Sequence, residues 1–353
     1  MVTPLPFRDE TGQVYVWDLL YRRPVLKQTC HGGPVLHIQC PNSTHVVTQG
    51  RDNTCKLWRL HIQRDAPYLE SRVSMECIAT MNVDSLNFCQ VSVARDSDDL
   101  LDCINPKRIL RLYHVTLLAP KDHPQSPLYI ASLHDSTGHK FALRKYDLQE
   151  NTESKHIFTY PADKGLCMCM RLFRTLLPTG SDVADDTATF VLMGYENGHI
   201  SLWRLVNDTC NEVASYALHS EPVTCLEVDT SQWFGFSAAA DKVLTKFPLA
   251  TLNKVSPTPS PSTFHLPSGG LADMKLLCNQ QILATGGWDG QVRVFSTAEL
   301  QPLVTLSNHR GLVHTIAVPT PFTMEGLETP SEVDYCLMAS GANDCKINLW
   351  RVE

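Results

Sequence analysis

Short runs in which apolar and polar residues alternate, each closed by a turn rich in glycine, asparagine or aspartate, recur along the whole chain. THVVTQG at 44–50, ATFVLMG at 188–194, QILATGG at 281–287 and YCLMASG at 335–341 have this form, which predicts half-buried strands. After each turn a second run ends in a large aromatic, as in GRDNTCKLWRL at 50–60, GYENGHISLWRL at 194–205, GWDGQVRVFS at 287–296 and GANDCKINLWRV at 341–352. Ahead of them lie HGGPVLHIQC at 31–40, HSEPVTCLEV at 219–228 and HRGLVHTIAV at 309–318. A fourth run follows the aromatic, as in RPVLKQT at 23–29 and QPLVTLS at 301–307. The unit so predicted is a four-stranded antiparallel sheet.

Spacing within the unit is fixed. Asp52 to Trp58, Asp241 to Phe247, Asp289 to Phe295 and Asp344 to Trp350 each span six residues, and Asn197 to Trp203 repeats that distance with an amide. Strand-only self-similarity at a period of roughly 40 residues predicts the blades of a β-propeller. Units fall at about 1–22, 23–65, 70–115, 116–157, 163–209, 210–252, 262–300 and 301–353, about seven once the first fragment is allowed for. The expected fold is all-β, one seven-bladed propeller over residues 1–353 with an incomplete first blade, because only seven residues precede RDETGQVYVWDL at 8–19. At that incomplete blade or open seam, Phe7, Val14, Val16 and Trp17 are expected to be partly exposed.

Between 66 and 160 the pattern frays. CIATMNVDSLNFCQVSV at 77–93 reads as a first and second strand, RILRLYHV at 108–115 as a third carrying Tyr113, and 127–148 as two strands with Tyr146 in the tryptophan's role. Segments 176–187, 256–264 and 319–334, rich in Pro, Ser, Thr and Asp, are expected to be loop insertions.

The recurring polar residues have a physical reason. An aspartate in the turn, a histidine in the lead-in, a hydroxyl closing the second strand and an indole on the third can satisfy one another's buried polar atoms in series. His31, Thr48, Asp52 and Trp58 make a full set; His309, Ser340, Asp344 and Trp350 make another; His219, Ser237, Asp241 and Phe247 lack only the indole. Several copies of one constellation point to structure, where catalysis needs a single one.

Composition narrows the function. Thirty Lys plus Arg against 37 Asp plus Glu give a net charge of −7, with the basic residues scattered singly or in short clusters such as Tyr21-Arg22-Arg23, so no direct nucleic acid binding is expected. No apolar run approaches the roughly 20 residues of a spanning helix, and MVTPLPFRDE has no signal-peptide pattern, so no membrane association is expected. The thirteen cysteines are scattered, and the one close pair, Cys167 and Cys169, has no second pair in metal-ligand spacing. Free thiols in a reducing compartment, nucleus and cytoplasm, follow, with no metal and no cofactor. The Gly-x-Ser-x-Gly, P-loop and H-E-x-x-H patterns are absent, so no catalytic residue is assigned and the chain is expected not to be an enzyme.

HGGPVLHIQC with TQGRDNTCKLWRL, CMCMRLF with VLMGYENGHISLWRL, HSEPVTCLEVD with GFSAAADKVL, and ILATGGWDGQVRVF with SGANDCKINLW resemble the WD40-repeat family. Within it they resemble the G-protein-beta-like and ASTRA-associated scaffolds, over nearly the whole chain. That resemblance implies a non-catalytic protein-interaction scaffold. Its implied partners are the Tel2-Tti1-Tti2 co-chaperone group, the phosphatidylinositol 3-kinase-related kinases, and the AAA+ ATPases of chromatin-remodelling assemblies. The alternative is recognition of a histone tail or other peptide on chromatin. Arg51, Tyr195, Trp288 and Asn343, in or beside the turns, are the candidate protein-binding residues.

Overall fold

A computed structural model describes residues 4–8, 10–18, 23–42, 44–62, 73–84, 89–95, 127–134, 139–176, 187–206, 209–229, 233–249, 260–277, 280–318 and 336–352. Strands β1 (Pro4–Arg8), β2 (Gln13–Asp18) and β3 (Arg23–Thr29) form a three-stranded sheet. A four-stranded sheet follows from β4 (Val35–Asn42), β5 (His45–Gly50), β6 (Thr54–Ile62) and β7 (Val73–Asn82). The next contains β8 (Ser92–Arg95), β9 (Leu128–Leu133), β10 (Lys140–Asp147) and β11 (Thr152–Thr159). Then come β12 (Cys167–Leu176), β13 (Thr187–Tyr195), β14 (His199–Val206) and β15 (Thr209–Ala217), and after them β16 (Val223–Asp229), β17 (Phe234–Ala239), β18 (Val243–Pro248) and β19 (Ser262–His265). The last two sheets are β20 (Leu271–Leu277), β21 (Ile282–Gly287), β22 (Val292–Ser296) and β23 (Pro302–Leu306), and the three-stranded β24 (Val313–Ala317), β25 (Cys336–Ala342) and β26 (Ile347–Val352). The architecture is all-β, and the six sheets from β4 to β26 have the arrangement of β-propeller blades.

Two compact units contain these sheets, the first taking the first three as far as Ile157 and the second the rest. Within the first unit the leading strands β1, β4 and β8 lie side by side. Within the second, β12, β16, β20 and β24 do the same. Apolar faces are buried between consecutive sheets, which is how a blade without a core of its own becomes stable. Val14, Val16, Val25, Trp58, Leu60 and Met75 share one such core in the first unit; Phe190, Leu192, Ile200, Leu202, Val223 and Phe247 share one in the second.

A register shift recurs where the third strand meets the fourth. It falls at Val16/Trp17, Leu57/Trp58, Leu202/Trp203 and Val294/Phe295, always at the step into the aromatic. An extra residue at this point sharpens the local twist just where the large ring enters the core.

Several expectations are corrected. Val14 and Val16 are fully buried, because β1 pairs with β2 and the sheet of β4–β7 covers them, while Trp17 is half-buried. The Phe7 side chain lies outside the described residues. The run 77–93 is not one first-and-second-strand pair: β7 closes the preceding sheet as its fourth strand, and β8 opens the next. The two diverged units at 70–115 and 116–157 therefore contribute to one sheet of their own, and 108–115 with Tyr113 lies outside the described residues. The insertion placed at 256–264 ends in strand β19, which needs a hydrogen-bonded partner on one side only and so tolerates the polar Ser262 and Thr263. Residues 177–186 and 319–334 lie outside the described residues.

Candidate functional site

In the sheet of β4–β7 the polar series is complete. His31, 2% exposed, donates through Nδ1 to Asp52 at 3.0 Å, while the Thr48 hydroxyl donates to its Nε2 at 2.8 Å. Trp58 Nε1 donates to the same hydroxyl oxygen at 2.8 Å. Only a neutral imidazole satisfies both neighbours in this way, and burial pushes His31 below its ordinary 6.5 despite the pull of Asp52. Burial alone would raise Asp52, but the Thr54 hydroxyl, the Gly32 N–H and His31 together hold it at about 2.

Two more sheets carry the same series. His219 bonds Asp241 at 3.0 Å and Ser237 at 2.8 Å, with fully buried Phe247 in the indole's place. His309 bonds Asp344 at 3.2 Å and Ser340 at 2.8 Å, and Trp350 Nε1 donates to Ser340 at 2.8 Å. Each histidine also rests on the preceding sheet. A Cβ on Gly12 would lie 2.1 Å from the His31 carbonyl oxygen, one on Gly198 2.2 Å from that of His219, and one on Gly290 3.2 Å from that of His309. These three glycines have φ of +82°, +82° and +77°, so the turn demands glycine on two counts.

Other sheets fill the same space with chemistry that the repeat pattern did not reveal. Trp203 Nε1 donates to Tyr195 Oη at 3.0 Å. Arg293 grips Asp289 bidentately at 2.6 and 3.1 Å. Arg144, 2% exposed, donates to Ser132 and to the Asn82 carbonyl, both at 2.6 Å, and pairs with Glu153 at 3.2 Å. An arginine inside an alternating strand was the available sequence signal, because a buried guanidinium requires several fixed acceptors.

The leading strands of the second unit are also tied by charge. Arg171 on β12 meets Glu227 on β16 at 2.9 Å, and Lys275 on β20 reaches both Glu227 and Asp273. Asp273 in turn accepts from the Ile316 N–H at 2.9 Å on β24.

The residue before each turn aspartate or asparagine behaves differently from all of these. Its backbone N–H is always fixed to the lead-in: Arg51 to Pro34, Glu196 to Leu166, Ala240 to Pro222, Trp288 to Gly270, and Asn343 to Leu312, at 2.9 to 3.1 Å. Its side chain points outward, and Arg51, Glu196, Trp288 and Asn343 are exposed. Trp288 is 39% exposed and stands over Gly270, where a Cβ would lie 3.3 Å from the indole. Asn343 is bonded to His314. Tyr195, expected beside them, is fully buried. It is the last residue of β13, one position earlier than the outward-facing one, and a single step along a strand turns the side chain to the other face. Glu196 occupies the corresponding outward position.

Among the described residues no group of three or more His, Cys, Asp or Glu is placed to hold a metal ion. The histidines of the His–Asp pairs are buried under the turns, with the aspartates partly exposed, in three copies, which suits support of a surface. Of the candidate protein-binding residues, Arg51 in the first unit and Trp288 and Asn343 in the second are exposed.

Residues 22–59 and 261–296 match the WD domain, G-beta repeat family. Each matched segment joins the fourth strand of one sheet to the first three of the next, so the repeat staples neighbours together. The chain is similar to guanine nucleotide-binding protein subunit beta-like protein 1 of Mus musculus, 25% identical over 98% of this chain and 87% of the relative. It is similar to ASTRA-associated protein 1 of Penicillium rubens, 24% identical over 92% of this chain and 77% of the relative. Against ASTRA-associated protein 1 of Schizosaccharomyces pombe it is 22% identical over 98% of this chain and 91% of the relative. The chain thus carries WD40 repeats and, across most of its length, is similar to the ASTRA-associated protein 1 sequences.

Proposed function

We propose that this chain is a scaffold that supports the assembly or stability of phosphatidylinositol 3-kinase-related kinases with the Tel2-Tti1-Tti2 co-chaperone group. The same reading includes chromatin-remodelling assemblies, met through their AAA+ ATPases, and places the chain in nucleus and cytoplasm. In it the sheets are blades of a seven-bladed propeller, and partners dock on the turns bearing Arg51, Trp288 and Asn343. The observation that carries the reading is similarity to ASTRA-associated protein 1 over 92% and 98% of the chain in distant fungi, which goes well beyond the two segments that match the repeat itself.

Affinity purification of the full chain followed by mass spectrometry tests it. Recovery of the kinases together with the Tel2-Tti1-Tti2 group is expected, and recovery of neither sinks the reading. Arg51→Glu combined with Trp288→Ala should reduce that recovery several-fold at unchanged Tm, since both side chains are exposed. Full recovery by the double variant would remove these turns from the interface.

A further inference from the structure

The turn bearing Trp288 stands between two others of the second unit. On one side, a Cβ built on Gly270 would lie 3.3 Å from both the indole Cε2 and the Ala240 Cα, so the indole borders the turn of Ala240–Lys242. On the other, a Cβ on Gly290 would lie 3.1 Å from the Gly311 carbonyl oxygen, which sets the lead-in of Arg310 and Gly311 against the same turn. The Asn343 turn follows directly: the Arg310 N–H donates to Asp344 at 3.1 Å, and a Cβ on Gly311 would lie 3.1 Å from the Asn343 Cβ. Trp288, Lys242, Arg310, His314 and Asn343 are all exposed along this stretch.

Its charges are not evenly offered to a partner. Asp241 accepts from His219 and from the Ser220 and Val243 N–H groups. Asp289 accepts twice from Arg293, and from the Ser268 hydroxyl and the Gln291 N–H. Asp344 accepts from His309 and from the Arg310 and Lys346 N–H groups. Each turn carboxylate is thus engaged by fixed donors of its own sheet, whereas the side chains of Lys242 and Arg310 form no ion pair among the described residues. The exposed Glu221 lies one turn away, its carbonyl oxygen 3.1 Å from where a Gly198 Cβ would sit. His314 Nε2 donates to the Asn343 side-chain oxygen, which leaves the Asn343 amide N–H groups to donate outward.

An indole with an unpaired cation on either side complements an apolar side chain with a carboxylate on either side. The remainder of the chain sharpens the choice, because a net charge of −7 repels an acidic segment from most of the surface and leaves this stretch to hold it. Two cations are too few for a phosphate backbone, whose binding draws on many more. We infer that the stretch from Lys242 to Asn343 takes an acidic segment of a partner polypeptide. An apolar side chain of that segment lies on the Trp288 indole, its flanking carboxylates meet Lys242 and Arg310, and the Asn343 amide donates to its backbone. The inference rests on the reading that partners dock on these turns, and adds the chemistry they bring.

The probe is a set of blocked, fluorescein-labelled pentapeptides, DDXDD and KKXKK, with phenylalanine, leucine, alanine or glycine at X, titrated into the full 353-residue chain and read by anisotropy. DDFDD and DDLDD should bind saturably and more weakly as salt is raised, and KKFKK should not bind. Alanine at X should weaken binding at least about tenfold, as should Trp288→Ala, and Lys242→Glu and Arg310→Glu about fivefold each. The peptide-side changes keep the test valid if a chain variant folds poorly. No saturable binding by any member, equal binding by the lysine set, or binding unchanged by both Trp288→Ala and Lys242→Glu would overturn the inference. So would tighter binding of a single-stranded oligonucleotide through the same residues, which would assign the stretch to nucleic acid. Failed peptide binding alongside loss of the kinases from the Arg51→Glu, Trp288→Ala variant would overturn the acidic segment and leave the docking turns standing. Peptide binding without recovery of the kinases would support the acidic segment and overturn the kinase reading.

Discussion

Thr48→Val changes little in shape and removes one hydroxyl. That group serves two buried partners, His31 Nε2 and Trp58 Nε1, each at 2.8 Å. Leaving a buried polar atom unpartnered costs about 1–3 kcal/mol, so two orphans put the expected loss at about 2–6 kcal/mol. Ser237→Ala removes the equivalent hydroxyl where only His219 depends on it, since Phe247 has no donor, and the expected loss is about 1–3 kcal/mol. Ser340→Ala should fall between them, because the Asn348 amide lies 3.0 Å from His309 Nε2 and partly replaces the lost partner. Trp58→Phe supplies a cross-check. In the Thr48→Val background it removes an orphan and breaks no hydrogen bond, so it should cost about 1 kcal/mol less than in the wild-type chain. Thermal and urea denaturation of the full chain give the ranking, and hydrogen exchange on β5 and β6 localises it if unfolding is not two-state. A Thr48→Val cost no greater than that of Ser237→Ala would refute the series as the source of the stability.

Acid sensitivity should begin well above the carboxylate range. His31, His219 and His45 all titrate below 6.5 in the fold, His45 at about 4, chiefly because burial disfavours their charged form. The unfolded chain therefore takes up protons first as pH falls, and stability that is complete above pH 6.5 is lost toward pH 4. Asp52, held at about 2 against an ordinary 3.8, adds a second loss as pH falls through that lower range. A Tm that stays flat between pH 6.5 and pH 4 would contradict neutral buried histidines. Arg144→Lys is expected to cost about 2–4 kcal/mol in thermal denaturation, because one ammonium cannot reach Ser132, the Asn82 carbonyl and Glu153 together. Gly198→Ala should destabilise by more than about 2 kcal/mol, and Lys242→Gly, at φ of +65°, should stabilise by up to about 1 kcal/mol. Opposite signs in one Tm series are the signature sought.

The strands of the regular sheets were legible because alternation, turn glycines and the six-residue step from aspartate to aromatic all report the same local geometry. Register shifts were not, since an extra residue such as Ile78 or Val213 looks like any other apolar position until its partner strand is known. The sheet of β8–β11 was obscured for a different reason: its polar core runs through Arg144 and Ser132, and no histidine marks its start. The glycines were readable as turn residues, whereas their contact with the next sheet's histidine was not. Where the following sheet lacks that histidine, Asn53 and Lys242 hold the same left-handed turn position with φ of +61° and +65°. Glycine at that position therefore reports the neighbour as much as the turn.

This division separates fold from recognition. The residues that repeat are interior, and their conformations answer to one another through buried hydrogen bonds. The residue before the turn aspartate repeats only in its backbone, anchored by one N–H in five sheets, while its side chain runs through arginine, glutamate, alanine, tryptophan and asparagine at Arg51, Glu196, Ala240, Trp288 and Asn343. Those side chains make only local surface contacts, Glu196 with the Leu166 N–H, Asn343 with His314 and Trp288 over Gly270, and none completes a buried series, which leaves their chemistry open to selection by a partner. A turn swap tests this directly: exchanging Trp288 and Asn343 should leave stability within about 1 kcal/mol of the parent's, because neither side chain completes a buried series. Partner recovery should nonetheless change, since the order of chemistries around the turns has been altered. A swapped chain that unfolds early would show that Trp288 packs as core over Gly270, and that recognition has to be sought elsewhere.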